Sequence, residues 1–462
     1  MKKLLLSLCL MATLGSFLLN AEEKMSPSTQ NFLRSYESTS TISQRAKLKS
    51  TYAINPNNGE MAVSAFLHLV DENNLDGLEE NQVIINAQYG TILSTSIPAD
   101  NLTSVSQLPS VKYIEIGRPV HQRMNNVRSE QFSNVNKIHE GTGLTQAYTG
   151  KDVIVGIIDG GFQYNHINFY DTEGKNLRIK RVWNQNQSGT PPTGYYYGTE
   201  YTNAEEIIAA KQDYAASHAT HVTGIAAGAY KGNEYYGIAP DADLVFVSYN
   251  VSDNSSSNTS ITDGIKYIYD YAESVGKPCV INMSLGYHIG PHDGTSTFDR
   301  ICDELQGEGR LLVGASGNEA EYNIHATKTL KKGDTNMKSL VEFVSNWYLY
   351  GSMTSTVDIW GDAEKQLSAR VFVYDILNKK EVYSSESFST TTSTSKKISN
   401  PTGADGNIYI STATNPYNKK GNITIDLNLS SFDNRNYYIG FEISGPEETT
   451  INASVSYTHL TL

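Results

Sequence analysis

The stretch Val153–Phe162, VIVGIIDGGF, decides the fold of this chain. An unbroken run of apolar or small residues leads into Asp159 and a Gly-Gly pair. Such a run, closed by turn residues, reads as a strand buried on both faces, as strands of parallel sheets are. Asp159 then stands at the strand's carboxyl end. Alone, Asp-Gly-Gly is more often a turn than a chemical group.

Working outward from Gly150, strands alternate with helices. Strands are predicted at Val153–Ile158, Arg178–Trp183, Leu244–Tyr249, Val280–Ser284 and Leu311–Ala315. Helices are predicted at Ala204–Lys211, Thr220–Ala229, Thr262–Ser274 and Thr297–Glu308. That alternation predicts an α/β domain with a mostly parallel sheet.

Beyond Leu330 the helical periodicity stops. Val341–Trp347, Thr356–Trp360, Ala369–Tyr374, Ile408–Ser411, Ile423–Leu427 and Tyr437–Ile443 are short, β-branched and aromatic, with turn residues between them. A β-sandwich of about 120 residues is expected there. Upstream, Ala62–Asp71, Val83–Ala87, Thr91–Ser96 and Val111–Ile116 read as strands, with a helix over Ala99–Leu108. These form a small α+β module. Glu22 to about Glu60 is polar and Ser/Thr-rich, and is expected to be a weakly ordered lead-in.

Met1–Ala21 carries two lysines and then an apolar run to Leu19, the pattern of a secretory signal peptide rather than a membrane anchor. Cys9 follows Leu8 where a lipoprotein signal needs a small residue, so no lipid anchor is expected. No later stretch is long and apolar enough to span a bilayer. The net charge of −13 and the lack of a basic stripe argue against nucleic acid as a partner. Cys279 and Cys302, on a strand and the helix returning from it, are expected to be buried free thiols.

His218 and His221 stand three apart at a helix start, on one face. A metal reading needs a third ligand or an H-E-x-x-H pattern, and neither is present. Ser284-Leu285-Gly286 ends the strand in VINMSLG, where exposed backbone can pair with an extended peptide. Asn318 closes LLVGASGN as an exposed carboxamide able to donate to a developing alkoxide. Gly294-Thr295-Ser296 is read as a helix cap with Asp299, and Gly314–Asn318 only nearly spells G-x-S-x-G; neither serine is taken as a nucleophile. Asp159, Gly286 and Asn318 each fall just beyond a predicted strand, and His218 at a helix start. In an open α/β sheet such ends share one ligand-binding edge.

In the order Asp…His…Asn, VIVGIIDGGF, HATHVTGIAAG (His218–Gly228) and LLVGASGNE (Leu311–Glu319) resemble blocks of the subtilisin-like serine peptidases. The resemblance implies a three-layer, mostly parallel α/β fold. It makes Asp159, His218 and Asn318 the catalytic acid, base and oxyanion donor, and Ser284, Leu285 and Gly286 the substrate-binding strand. Glu319 would line the pocket for the residue before the scissile bond and favour a basic side chain. Ala219 replaces the glycine usual between the two histidines.

The stretch IPADNLTSVSQLPSVKYIEI resembles the family's inhibitory propeptide, released somewhere within Gly117–Arg128. Residues 22–125 would be propeptide, with its inhibitor-like module at about 61–118, 126–330 the peptidase domain, and 331–454 a β-sandwich insertion. Subtilases with a jelly-roll insertion between the Asn and Ser blocks, spore-germination proteases among them, are similar and share the GPHDGTS segment at Gly290–Ser296. The expected Gly-Thr-Ser-Met-Ala block is missing before Leu462. Val455–Leu462 reads like a translated sequencing adapter, so the nucleophilic serine is expected beyond the end of this chain.

The chemistry implied is hydrolysis of protein or peptide substrates in the bacterial exterior or envelope, with the propeptide as intramolecular inhibitor. No cofactor is expected, structural calcium aside. One rival is a non-catalytic secreted binder with a β-sandwich recognition domain. Another, a nucleotide-binding protein built on Gly160-Gly161, lacks G-x-G-x-x-G and its acidic partner.

Overall fold

The computed structural model describes residues 23–38, 48, 54–57, 60–118, 121–122, 135–232, 236–249, 257–320, 322–342, 352–398, 405–430, 432–433, 435–456 and 459–461. The expected leader 1–21 lies outside them, as do most of the expected release segment and part of the 455–462 tail.

The N-terminal module is an antiparallel sheet of β1 (Ile54–Asn57), β2 (Glu60–Leu69), β3 (Ile84–Tyr89), β4 (Ile92–Pro98) and β5 (Val111–Ile116), with β2 pairing β1, β4 and β5. The predicted helix is a short 3-10 turn, Ala99–Asn101, running into Leu102–Gln107. Leu93, Ile97, Leu102, Val105 and Ile114 fill its core.

A correction falls on the lead-in. Pro27–Glu37 is a helix, capped by the Ser26 hydroxyl accepting from the Thr29 N–H (3.2 Å), with Pro27 in its first turn. The polar residues of its first turns do not face water. Thr29, Gln30 and Asn31 are buried: Thr29 Oγ1 donates to the Ile114 carbonyl, Gln30 Nε2 to Ser393 Oγ (2.9 Å), and Asn31 Oδ1 accepts from Ser411 Oγ. The helix is thus a polar wedge between the module and the C-terminal strands, and its polarity is spent on hydrogen bonds rather than solvation.

After the two-residue β6 (His121–Gln122) come β7 (Ile154–Asp159), β8 (Ile179–Asn184), β9 (Thr199–Tyr201), β10 (Asp243–Ser248), β11 (Cys279–Met283), β12 (Leu285–Gly286) and β13 (Arg310–Gly314). The main sheet has the order β13-β11-β7-β10-β8-β9, parallel apart from β9. Each of the five predicted strands lies within a single residue of its expected start.

Every residue of β7 is buried. Helix Asn258–Ser274 covers one face, packing Ile261, Ile265 and Ile268 on Ile158, Val245 and Ile281. It lies so close that a Cβ at Gly156 would meet Ile268 at 2.7 Å. Helix Ser217–Ala227 packs on the other face through Ala219 and Ala227, both fully buried. Its thinness resides in those alanines. Gly224 adds nothing to it, since only Asn168, 3.9 Å away, lies near its missing Cβ. Helix Thr297–Leu305 begins at Ser296, whose hydroxyl accepts from the Asp299 N–H (3.0 Å). Cys279 and Cys302 are buried free thiols, pushed up to about 12 by desolvation.

The C-terminal strands form two facing antiparallel sheets. One runs His325–Thr329, Thr450–Val455, Ser352–Ala363, Lys420–Ser430, Asp405–Thr414 and Thr394–Ile398; the other is centred on Ser368–Asp375, Tyr437–Ser444 and Met337–Glu342. Val357, Ile359, Val371, Ile425, Phe441 and Ile443 fill the space between them. The first strand begins at His325, ahead of the expected boundary at 331.

All three units meet around Tyr417. Its ring lies 4.4 Å from His68 of the module and under Lys112 and Arg300, both at 4.8 Å. Burial, with those two cations nearby, depresses His68 to about 3. Beside it Arg118 and Asp358 form a buried ion pair at 3.8 Å.

Candidate active site

Asp159 is the last residue of β7, so its carboxylate emerges where the buried strand ends. His218 occupies the first turn of helix Ser217–Ala227, which rises past that point. His218 Nδ1 lies 2.8 Å from Asp159 Oδ1 and 2.9 Å from Oδ2, and both side chains are shut off from solvent. An acceptor carboxylate makes Nδ1 the protonated nitrogen and leaves Nε2 as the basic one. The Gly160 N–H donates to Asp159 Oδ1 (2.6 Å) and further orients the carboxylate. His221, three residues on, is exposed and takes no part in this pair.

Asp213, which sequence reasoning did not single out, ties the two loops carrying the pair. Its carboxylate accepts from the Phe162 N–H (3.0 Å), Tyr164 OH (2.7 Å) and Asn184 Nδ2 (2.6 Å). Burial raises its pKa. Gly161 lets the loops cross, since a Cβ there would meet Asp213 at 2.9 Å and the Ala215 carbonyl at 3.2 Å. Nothing in the local sequence around Asp213 signals this, because its partners lie on distant strands. A polar cavity of about 380 Å³ opens alongside, lined by Gly160, Asn184, Gln187, Tyr201, Gln212 and Tyr214.

The remaining predicted residues stand on the neighbouring strands. Met283 is in register with Ile158 on one side and Gly314 on the other, so Ser284 and Ala315 come level with Asp159. Leu285–Gly286 is paired antiparallel with His121–Gln122 of β6, which occupies the position expected of an extended peptide. Asn318 follows the turn after β13. Gly317 has φ +95°, and a Cβ there would strike the Glu319 carboxylate at 2.8 Å, so the turn requires glycine. The Asn318 N–H donates to Glu319 Oε2 (2.8 Å), and the same oxygen lies 3.6 Å from His288 Nε2. The Asn318 side is exposed, whereas Asp159 and His218 are buried.

A carboxylate-oriented imidazole, a carboxamide and a peptide-pairing strand on one sheet edge are the parts of an acyl-transfer site. The Subtilase family profile matches residues 150–439, and the chain belongs to that family of subtilisin-like serine peptidases. Among its relatives, a subtilisin of Bacillus sp. strain TA39 is 28% identical over 189 residues, 41% of this chain and 39% of the relative. Subtilisin E of Bacillus subtilis strain 168 is 24% identical over 240 residues, 52% of each. The alkaline protease of Alkalihalobacillus alcalophilus is 24% identical, covering 62% of this chain and 66% of that one. The chain thus spans about half or less of the two subtilisins. The structure of the Clostridium perfringens CspB protease has the same fold, with TM-score 0.56 and 19% identity over 71% of this chain and 69% of that one.

Proposed function

We propose that this chain is part of a secreted serine endopeptidase precursor, with Asp159, His218 and Asn318 as three of its four catalytic groups. The fourth, a serine, is supplied by sequence beyond Leu462. His218 Nε2 takes the serine proton as the hydroxyl attacks the peptide carbonyl, then passes it to the leaving amine. Asp159 holds Nδ1–H and stabilises the imidazolium. Asn318 donates to the oxyanion as charge develops there. Residues 22–125 are the propeptide, and the β-sandwich is an insertion between the Asn and Ser blocks. Protein or peptide substrates bind as a strand on Ser284–Gly286, with Glu319 in the pocket before the scissile bond.

The observation that carries the reading is the buried His218–Asp159 pair, 2.8 Å apart, at the edge where Leu285–Gly286 already pairs with an extended segment of the chain. The test is peptide hydrolysis by the product of the complete gene and by residues 1–462 alone. The account predicts activity from the first, abolished by His218→Ala, and none from the second. A complete product that binds peptides without cutting them would instead establish a non-catalytic binder.

A further inference from the structure

Two segments of the chain leave the sheet edge and touch again further out. One continues β12 through Tyr287 and His288 into the GPHDGTS loop, 290–296. The other leads from the turn of Asn318 and Glu319 to strand His325–Thr329 of the sandwich. At the edge, His288 Nε2 faces Glu319 Oε2 at 3.6 Å. Four residues beyond His288 and six beyond Glu319, the rings of His292 and His325 meet edge to face, 5.7 Å between centroids.

The outer contact is a relay through one hydroxyl. Ser454 is the cross-strand partner of His325, and its Oγ lies 2.8 Å from His325 Nδ1 and 3.2 Å from His292 Nε2. His292 Nε2 is also 2.8 Å from the His288 carbonyl. A carbonyl only accepts, so Nε2 carries the proton, and the Ser454 hydroxyl is left to donate to a bare His325 Nδ1. His292 reaches this place at φ +53°, a region that is costly for a side chain and persists only where contacts enforce it. Two further ties bind the loop to the sandwich: Asp293 pairs with Lys420, and Asn418 Nδ2 donates to Thr295 Oγ1 (2.9 Å).

Strand Thr450–Val455 brings no charged residue to His325. Among the described side chains, the titratable group against it is His292, backed by His288 with Glu319 and by the Asp293–Lys420 pair. Partial burial and then His292 lower the His325 pKa, against a smaller upward pull from Asn452.

Resting on the peptidase reading, we propose that His292 is a positioning residue, and that the His292–Ser454–His325 contact fixes the substrate-pairing strand against the oxyanion turn. A proton on His325 breaks the relay. Two N–H groups then converge on one oxygen, and that oxygen's own proton has lost its acceptor. The contact is therefore whole above the ordinary histidine value of about 6.5 and weakens as pH falls through the lowered one.

The experiment is deuterium exchange at the histidine ring C2–H, read by mass spectrometry on residues 1–462 between pH 5 and 9, with kinetics on the complete gene product. His292→Asn tolerates the left-handed backbone but is too short to reach Ser454. It should raise the His325 midpoint toward the ordinary value and speed exchange at His288 about 10-fold at pH 8. In the complete product it should lower kcat about 10-fold with KM changed less than about 3-fold, short of the 10²–10³ for losing an oxyanion donor outright. His325→Asn keeps an acceptor where Nδ1 stands and takes no proton. Since His218 gives both forms the same acid limb, kcat of the parent should fall more steeply below pH 6.5 than that of His325→Asn. A His325 midpoint, a His288 rate or a kcat unmoved by His292→Asn overturns the proposal and leaves the peptidase reading standing. Both ring readouts as expected, with no hydrolysis by the complete product, overturn the peptidase reading instead.

Discussion

β7 and β13 belong to one parallel sheet and each leads into a candidate catalytic side chain, yet their surroundings differ sharply. β7 is buried throughout, flanked by β10 and β11, and it delivers Asp159 into a hydrogen-bonded, buried pair with His218. β13 pairs only with β11 among the described residues, leaves Leu311 56% and Val313 50% exposed, and delivers Asn318 into solvent. The proposed acid–base half of the site is therefore preorganised by the packed interior. The proposed oxyanion half rests on a turn held by Gly317, Glu319 and one edge strand. Electrostatic stabilisation is strongest where donors are fixed and water is excluded, so the two halves should respond differently to substitution.

The largest difference should appear in catalysis. Asp159→Asn in the complete enzyme should lower kcat by about 10⁴, because the amide no longer holds the correct imidazole tautomer. A small loss would mean that the buried pair is structural. Asn318→Ala should lower kcat by about 10²–10³ with KM little changed, the range measured for this donor in subtilisin. An unchanged kcat would remove Asn318 from the mechanism.

A third test concerns the seam where the N-terminal module covers the β7 side of the sheet. Asp263 accepts there from Tyr89 OH (3.0 Å), Ser94 Oγ (3.1 Å) and Tyr197 OH (2.8 Å), and desolvation lifts its pKa to about 6. An acid with a raised folded pKa binds its proton more tightly when folded. Its contribution is greatest below about pH 4 and declines as pH rises through about 6, by at most about 3 kcal/mol. Denaturant unfolding at pH 4 and 7.5 should show this decline in the parent and a shallower one in Asp263→Asn. Equal slopes would contradict the assignment.

The smallest effects separate strand centre from strand edge. Ile281→Val, in the packed core, should cost about 0.5–1.5 kcal/mol. Leu311→Ser, on the exposed strand, should stay within about 0.5 kcal/mol of the parent. Comparable losses would show that β13 is covered in solution.

The same contrast explains what could be read from the sequence. Runs such as Val153–Ile158 announce themselves because burial on both faces demands unbroken apolar residues, and those strands lie within one residue of expectation. The meeting of Asp159 and His218 was legible because chain order and short motifs place them at one sheet edge. Asp213 was not, since its role is set by Tyr164 and Asn184 reaching it through the fold. Helix Pro27–Glu37 was missed because Thr29, Gln30 and Asn31 look solvated, whereas their partners Ile114, Ser393 and Ser411 lie far along the chain. The Ser26-Pro27 start was the one local signal available. His325–Thr329 was overlooked because its sequence, HATKT, has only Ala326 facing the core.

The most direct test uses a fluorophosphonate, which acylation-competent serines capture covalently, on the product of the complete gene, with the modified residue located by mass spectrometry. The account predicts a single labelled serine beyond Leu462, with labelling lost in His218→Ala. Label on Ser296 or Ser316, or labelling indifferent to His218, would contradict it.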